Sequence, residues 1–229
     1  MKSNTFYLEN KAVIFDLDGV LLDSAEYHYL AWEKIAAELN IRFDRKLNHL
    51  LRGVSRRESL LIMTRNQLTL GEAQISELTD RKNTFYLNFI RKAGPKLLFP
   101  GINDFLLELH KTPLKLAVSS GSRNAPELIE ISGIKKECFS TIVSGRDFTK
   151  SKPDPESFLI AAEKIGIKPE DCLVVEDAPA GIEAAHRAGM GTFGTGDAEL
   201  ENCDIRAEAL SQENIILIFE YFEKRKECS

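Results

Sequence analysis

Two aspartates, Asp16 and Asp18, stand one residue apart at the end of the short apolar run in residues 11–17. Carboxylates this close cannot both stay ionised unless a cation or strong hydrogen-bond donors offset their charge. Glu176 and Asp177 end a second apolar run in the same way. Because hard divalent cations prefer oxygen ligands, the four carboxylates predict a site for a cation such as Mg²⁺ rather than for zinc.

A hydroxyl-rich segment, SSGSRN at 119–124, follows another apolar run and opens a helical pattern. Its hydroxyl and backbone N–H groups could hold an anion, although Ser- and Gly-rich turns are also common as plain helix caps. Lys152 precedes a capped helix, where its charge would add to a phosphate site. The P-loop and strand-linked GxGxxG patterns are absent, so nucleotide cradles of those kinds are not indicated.

The polar residues follow predicted strands, and strands alternate with helices along most of the chain. Such alternation predicts an α/β fold, with a Rossmann-like parallel sheet core covered by helices on both faces. The carboxyl ends of parallel strands share one edge, so we expect the polar residues to meet there. The predicted strands are 11–17, 114–120, 140–144, 172–177 and 190–194, and the helices 101–110, 124–133, 155–166, 179–188 and 213–226.

Residues 23–94 break the alternation with four successive helical patterns and no strand signal. We therefore predict a helical cap domain at 23–94, inserted into a core domain formed by 1–22 and 95–229. Asp23 and Glu26 are spaced as a capping box at the start of the first insert helix.

A second capping box, Ser55 to Glu58, starts another insert helix, yet Arg56 and Arg57 occupy its first turn. Basic residues there oppose the helix dipole, which indicates either a docked anion or two exposed arginines at a small cost. His28 borders the apolar stripe of the first insert helix and, on this pattern alone, reads as a packing residue.

Bulk properties exclude several functional classes. The chain has 229 residues and a formal net charge of −5, which gives no general reason to bind nucleic acid or anionic lipid. No run approaches membrane-spanning length, and the N-terminus lacks an apolar signal core. Four widely spaced cysteines suggest neither a zinc site nor a disulfide framework. We expect a cytoplasmic protein, and a monomer.

Four segments resemble, in order and spacing, the signatures of the haloacid dehalogenase (HAD) superfamily of aspartate phosphotransferases: FDLDG (15–19), SSGSRN (119–124), SKPDP with Lys152, and VEDAPAGIEAAHRAG (175–189). The insert occupies the position of the helical cap found in one subgroup. LLRGVSRRESL (50–60) and RKN (81–83) further resemble the β-phosphoglucomutases, Mg²⁺-dependent phosphomutases that convert β-glucose 1-phosphate to glucose 6-phosphate through β-glucose 1,6-bisphosphate.

The resemblance implies a role for each matching residue. Asp16 would be the nucleophile and Asp18 the general acid and base, with Mg²⁺ bound by Asp16, Asp18 and Asp177 and with Glu176 close by. The implied phosphate-binding residues are Ser120, Gly121, Ser122, Asn124 and Lys152. The implied cap residues that bind the sugar phosphate are His28, Arg52, Gly53, Ser55, Arg56 and Lys82, with Arg56 clamping the nontransferring phosphate.

Three positions depart from the family pattern. Arg52 and Arg123 stand where lysine is common, and Ser24 stands where threonine is usual. The basic exchanges keep the charge but alter reach and geometry, so they could retune sugar preference. Two alternatives to a mutase stay open, namely a phosphatase that uses the same aspartyl phosphate and a catalytically silent sugar-phosphate sensor.

Overall fold

The computed structural model describes residues 5–51, 54–196, 200 and 202–226. A parallel sheet of six strands forms its centre, in the order β3-β2-β1-β4-β5-β6. The strands are β1 (Ala12–Phe15), β2 (Lys115–Ser119), β3 (Thr141–Val143), β4 (Cys172–Glu176), β5 (Gly191–Thr195) and β6 (Ile205–Ala207). The predicted α/β fold with a parallel sheet is therefore confirmed.

The central strand β1 is buried on both faces, which explains its uninterrupted apolar sequence. Val13 and Phe15 point into one apolar layer, and Ala12 and Ile14 point into the other. Successive side chains of a strand alternate between faces, so one short run serves both layers. The strand thereby holds the residues that follow it in a fixed position at the sheet edge.

Nine helices are described along the resolved ranges of the chain. They are α1 (Ala25–Glu38), α2 (Arg45–His49), α3 (Arg56–Thr64), α4 (Glu72–Ala93), α5 (Ile102–His110), α6 (Ala125–Ser132), α7 (Glu156–Ile165), α8 (Pro179–Arg187) and α9 (Ile215–Lys226). The helices predicted in the sheet domain are all present, with ends that differ by one or two residues. None of the nine has the length and apolar character that crossing a membrane requires.

Helices α1 to α4 lie between β1 and β2 in the chain, and α1, α3 and α4 share an apolar cluster of their own. Trp32 and Ile35 of α1 pack there with Leu60 and Met63 of α3 and with Leu78 of α4. This cluster is separate from the two layers that cover the sheet. We call α1 to α4 the cap helices; the domain boundaries at 23 and 94 stay a prediction.

The predicted capping box at the start of α1 is wrong. The N-cap residue is Ser24, whose backbone has helical angles and whose side chain caps no N–H group. Its hydroxyl instead donates to Asp18, and Glu26 pairs with Arg45. The second predicted box is half confirmed: the Ser55 hydroxyl accepts from the N–H group of Glu58 at 3.2 Å and so caps α3. The Glu58 carboxylate accepts from the Ser55 hydroxyl at 2.9 Å, whereas a full box would have it accept from the Ser55 backbone N–H group.

Strand β6 was not predicted. It has three residues, Ile205–Ala207, and among the described strands it pairs only with β5, at the edge of the sheet. Arg206 lies at its centre and is exposed, so the segment lacks the apolar run that marks the buried strands. An edge strand of this length carries too little hydrophobic pattern to be recognised from sequence.

Candidate active site

The carboxyl ends of β1, β2 and β4 meet where the strand order changes direction, a position at which open α/β sheets bind ligands. Asp16 directly follows β1, and its N–H group donates to the carbonyl oxygen of Val175 at 2.9 Å. Ser120 follows β2 and donates from its N–H group to Val143 at 2.9 Å. Glu176 ends β4. The predicted meeting of these polar residues at one edge is confirmed.

Lys152 lies between two of the carboxylates. Its ammonium group donates to Asp16 and to Glu176, and all three side chains are largely buried. Burial alone would lower the pKa of Lys152, but the two carboxylates outweigh that effect and raise it. Burial raises the pKa of Asp16 well above its ordinary value, and the Lys152 charge opposes that shift. The cation therefore holds a buried, partly neutralised carboxylate at the end of the central strand.

The Glu176 carboxylate has partners at both oxygens. One accepts from Lys152, and the other accepts from the N–H groups of Asp177 at 2.8 Å and Ala178 at 2.9 Å. These bonds fix the turn between β4 and α8, the turn that carries Asp177. The predicted role of Glu176 in metal binding stays a prediction, because the structure gives its oxygens other partners.

The loop after β1 brings Asp177 close to the two aspartates. Gly19 has a φ of +93°, and a Cβ atom there would lie 2.3 Å from a carboxylate oxygen of Asp177. A residue with a side chain is therefore excluded from this turn, which keeps Asp177 against the backbone that carries Asp16 and Asp18. Hard oxygen donors gathered in this way fit a divalent cation.

No group of three or more His, Cys, Asp or Glu side chains within the described ranges forms a ready metal cage. Lys152 lies between Asp16 and Glu176, and the Asp18 carboxylate turns towards the cap helices. Metal binding by Asp16, Asp18 and Asp177 would therefore rely on main-chain as well as side-chain oxygens, and it stays a prediction.

The hydroxyl-rich segment after β2 forms a compact loop before α6. The Ser120 hydroxyl accepts from the N–H group of Ser122 at 3.0 Å, and the Ser122 hydroxyl accepts from the N–H group of Asn124 at 3.2 Å. Asn124 is the N-cap residue of α6. A Cβ atom on Gly145, in the loop after β3, would lie 2.3 Å from the carbonyl oxygen of Gly121, so the two loops pack directly.

Asp18 connects the sheet edge to the cap helices. Its carboxylate accepts from the hydroxyl of Ser24 and from that of Tyr86 at 3.4 Å, and it lies 3.9 Å from Nε2 of His28. Burial alone would raise the pKa of Asp18, but the proximity of His28 and Ser24 outweighs that effect and lowers it. Asp18 is therefore an ionised acceptor that the cap side chains orient.

Lys82 of α4 lies deep in the cap beside His28. Its ammonium nitrogen is 2.7 Å from Nδ1 of His28 and lies over the rings of Trp32 and Tyr86. Burial, together with the charge of Arg56, lowers the pKa of Lys82 to about 7. Burial and the Lys82 charge likewise lower the pKa of His28. His28 stacks on Tyr86, which agrees with the packing role expected from its pattern, and it also lies close to Asp18.

Arg56, the first residue of α3, faces the sheet domain across the cleft. Its Nη2 donates to Oδ1 of Asn83 on α4 at 2.9 Å, and the same oxygen accepts from Nδ2 of Asn124 at 2.7 Å. Burial and the nearby charge of Arg123 lower the pKa of Arg56. The adjacent Arg57 is exposed and pairs with Glu72 instead. Only the first of the two arginines is thus turned to the cleft.

The predicted cap residues divide into two sets. His28, Ser55, Arg56 and Lys82 are described, and three of them line the space next to Asp18 or Asn124, while Ser55 caps α3. Arg52 and Gly53 lie outside the described residues. Tyr86 and Asn83 also contact the site, although the sequence pattern predicted no role for either. A helical period on α4 links Lys82 to Tyr86, and this spacing could have indicated Tyr86.

Comparisons with known proteins agree with this geometry. A family model described as haloacid dehalogenase-like hydrolase matches residues 10–189. The β-phosphoglucomutase of Bacillus subtilis is 41% identical over 218 residues, which cover 93% of this chain and 96% of that protein. The phosphorylated carbohydrates phosphatase of Thermotoga maritima is 30% identical over 187 residues, with coverage of 79% and 82%.

A solved structure extends the likeness to the whole architecture. The crystal structure of a β-phosphoglucomutase from Clostridium difficile has a TM-score of 0.86 and 32% sequence identity to this chain. The match covers 94% of this chain and 98% of that one, so it includes the cap helices as well as the sheet. The chain belongs to the haloacid dehalogenase-like hydrolase family and, within it, to the β-phosphoglucomutases.

Proposed function

We propose that this enzyme interconverts β-glucose 1-phosphate and glucose 6-phosphate through β-glucose 1,6-bisphosphate and an aspartyl phosphate on Asp16. The observation that carries the proposal is the position of Asp18. It lies two residues after the proposed nucleophile Asp16, and cap side chains hold its carboxylate towards the place where a sugar would lie.

In the first half-reaction, phosphorylated Asp16 would transfer its phosphoryl group to the 6-hydroxyl of β-glucose 1-phosphate. The bond between phosphorus and the sugar oxygen forms, the bond to the Asp16 carboxylate breaks, and Asp18 accepts the hydroxyl proton. The lowered pKa of Asp18 keeps it ionised and ready for that proton.

In the second half-reaction the bisphosphate presents its C1 phosphate to Asp16. The carboxylate attacks phosphorus, the bond to the C1 oxygen breaks, and Asp18 returns its proton to that oxygen. Glucose 6-phosphate leaves, and the phosphoenzyme is restored. Lys152 offsets the charge of the Asp16 carboxylate throughout and would bind the transferring phosphate with the loop at 120–124.

The donor set at the sheet edge fits Mg²⁺, which Asp16, the main-chain oxygen of Asp18 and Asp177 would hold, with Glu176 close by. When bound, the ion would offset negative charge as the carboxylate approaches the phosphate. The residues of the chain position it: Gly19 admits Asp177, and Glu176 fixes the turn that carries Asp177.

The cap cleft would bind the remainder of the substrate. Arg56, with Ser55 at the start of α3, would hold the phosphate that is not being transferred, and Lys82 and His28 would contact the sugar. Arg52 and Gly53 are also proposed to contribute to binding of the sugar phosphate. Closure of the cap helices over the phosphoenzyme would exclude water and favour transfer to sugar over hydrolysis.

A single chain supplies every one of these groups, so we propose that the enzyme acts as a monomer. Cys138, Cys172 and Cys203 are free thiols, which fits a reducing, cytoplasmic location. The expected absence of a nucleic-acid partner rests on the acidic net charge of −5.

The test is one reaction that contains β-glucose 1-phosphate, Mg²⁺ and a trace of β-glucose 1,6-bisphosphate. Glucose 6-phosphate and free phosphate are followed together. Rapid formation of glucose 6-phosphate with little free phosphate is the expected result. Free phosphate equal to the substrate consumed would establish a phosphatase instead, the activity in the name of the Thermotoga maritima relative.

A further inference from the structure

One side-chain oxygen receives hydrogen bonds from both sides of the cleft. Oδ1 of Asn83, on cap helix α4, accepts from Nη2 of Arg56 at 2.9 Å and from Nδ2 of Asn124 at 2.7 Å. Arg56 begins cap helix α3, whereas Asn124 ends the phosphate loop at the N-cap position of α6 in the sheet domain. A single amide oxygen thus joins a cap cation to the loop proposed to bind phosphate.

The bond to Asn83 restricts how the guanidinium can turn. It uses one of the five N–H groups of Arg56, and it fixes the plane in which the others lie. A planar guanidinium that is held at one N–H can present a second edge to a phosphate group and bind it through two parallel bonds. Without that bond, the flexible side chain would have to lose its rotamer entropy when the phosphate arrives.

The neutral amide of Asn83 is chemically suited to this task. It satisfies Arg56 without cancelling the guanidinium charge, whereas a carboxylate in its place would neutralise that charge and compete with an incoming anion. The nearby Arg123 adds a second positive charge to the same region, and the carboxylate of Asp80 offsets one of the two. The arrangement therefore keeps a net positive site next to the phosphate loop.

A second contact ties the same two helices together further from the cleft. Arg91 lies about two turns after Asn83 on α4 and donates from Nε, at 3.1 Å, and from Nη2 to the carboxylate of Glu127 on α6. Both side chains of this pair are substantially exposed. The Arg91–Glu127 pair can therefore tether the helices, while the Asn83 bonds lie at the end of the interface that faces the proposed phosphate sites.

From these contacts we infer that Asn83 is a positioning residue, which orients Arg56 and Asn124 across the cleft for the nontransferring phosphate of the substrate. The inference deepens the proposed function and rests on it. Asn83 acts through Arg56, so its removal weakens the recognition of substrates that carry a second phosphate or a phosphate away from the reacting centre.

The first test compares Asn83→Ala with wild type on two reactions. For the mutase reaction we expect KM for β-glucose 1-phosphate to rise at least about tenfold, since a hydrogen bond to a charged group is lost. Hydrolysis of acetyl phosphate, which has no distal phosphate, should fall by a much smaller factor. Asn88→Ala, at an exposed position of the same helix, is the matched control. If Asn83→Ala reduced kcat/KM by the same factor in the mutase reaction and in acetyl phosphate hydrolysis, the inference would be overturned.

A double-mutant cycle tests whether Asn83 acts through Arg56. The Asn83→Ala change should raise KM by a much smaller factor in an Arg56→Ala background, because the guanidinium that it orients is gone and only its bond with Asn124 remains to be lost. Fully additive effects would contradict the inference. Asn83→Asp should also raise KM, by at least as much as Asn83→Ala, because it retains an acceptor but cancels the charge; wild-type KM in that variant would equally overturn it.

Calorimetric binding of β-glucose 1-phosphate in an Asp16→Asn background separates this inference from the proposed function. If wild type releases only free phosphate from the substrate, the mutase assignment fails. The coupling between Asn83 and Arg56 would still be measured as a shared, nonadditive loss of affinity. If the Asn83 and Arg56 substitutions instead raise Kd additively, and wild type has normal mutase activity, the inference about Asn83 is overturned and the proposed function stands.

Discussion

The ammonium group of Lys152 donates to the carboxylates of both Asp16 and Glu176. The three residues come from different parts of the chain, at the ends of β1 and β4 and in the loop before α7. A buried cation between two buried carboxylates is stable only as a set, because removal of one member leaves charge without a partner. The contact thus stabilises the fold, and it also offsets the charge of Asp16, the proposed nucleophile.

Lys152→Ala should therefore lower stability as well as activity. We expect the free energy of unfolding to fall by about 3 kcal/mol, the range observed when one partner of a buried ion pair is removed. Urea denaturation in a chelator-containing buffer measures this, since a divalent cation would partly replace the lost charge. Lys150→Ala is the control, because Lys150 is exposed. A stability equal to wild type would mean that the contact contributes nothing to folding.

Substitutions of Asp16 and Asp18 should affect different steps of the reaction. Asp16→Asn removes the nucleophile, so no covalent phosphoenzyme should form, and intact-mass measurement after incubation with acetyl phosphate should show no added phosphoryl group. Asp18→Ala should retain substrate binding but reduce turnover by at least about 100-fold, because it removes general acid and base catalysis. Robust turnover by the Asp16 variant would exclude the covalent mechanism.

Arg56 and the adjacent Arg57 form a matched pair for testing whether the cap anchors the phosphate that is not transferred. Arg56 faces the cleft, and Arg57 is exposed and paired with Glu72. Arg56→Ala should reduce kcat/KM of the mutase reaction by about 100-fold or more, because an anchored remote phosphate positions the reacting centre. Acetyl phosphate hydrolysis should fall far less, and Arg57→Ala should leave the ratio of the two rates unchanged. Equal losses in both assays would make Arg56 a structural residue.

The position of the candidate site was predictable because a parallel sheet has one carboxyl edge. Asp16, Ser120 and Glu176 each follow an apolar run, and that local pattern was sufficient to predict that they meet. The Ser55 N-cap was likewise predicted correctly from local sequence, whereas the box at Asp23 failed because Ser24 is the N-cap residue and its hydroxyl pairs with Asp18.

The contacts between the cap helices and the sheet domain could not be predicted from local sequence patterns. Asn83 meets Asn124 across 41 residues, and Tyr86 meets Asp18 across 68 residues. These contacts depend on how two packed units face each other, which neither helical periodicity nor capping signals encode. An asparagine in the middle of a long helix otherwise resembles an ordinary surface residue.

Asp147 supports the loop that carries Lys152, and it should make stability depend on pH. Its carboxylate accepts from the N–H and hydroxyl groups of Ser144, both at 2.9 Å, and from Lys164 at 2.7 Å. These bonds, led by the one from Lys164, lower the pKa of Asp147 to about 2.

A lowered carboxyl pKa stabilises the fold above the unfolded value, near 4, and the gain is lost as the pH falls towards 2. Asp147→Asn should therefore cost about 1 kcal/mol at pH 7, and the difference from wild type should shrink near pH 3. Urea denaturation at the two pH values measures both differences. A constant difference would assign the effect to packing and not to ionisation.

The charged form of Lys82 should destabilise the fold, whereas the charged form of Asp147 stabilises it. Its pKa falls from 10.5 to about 7 through burial and the charge of Arg56, with Asp18 opposing the shift. Between these two values the unfolded chain binds a proton that the folded chain does not, so folding becomes more favourable as the pH rises. The full cost of burying the charge is present below pH 7.

Lys82→Met removes the titrating group and keeps much of the side-chain volume. The free energy of unfolding of the variant should exceed that of wild type by the largest amount near pH 6.5. This difference should decline by up to about 1.4 kcal/mol per pH unit between pH 7 and 10. Lys92→Met, at an exposed position of the same helix, is the control and should show no such trend. A difference that does not vary with pH would mean that Lys82 retains its proton when folded. In that case Lys82 would stay protonated beside His28 throughout this pH range and would not lose its charge as the pH rises.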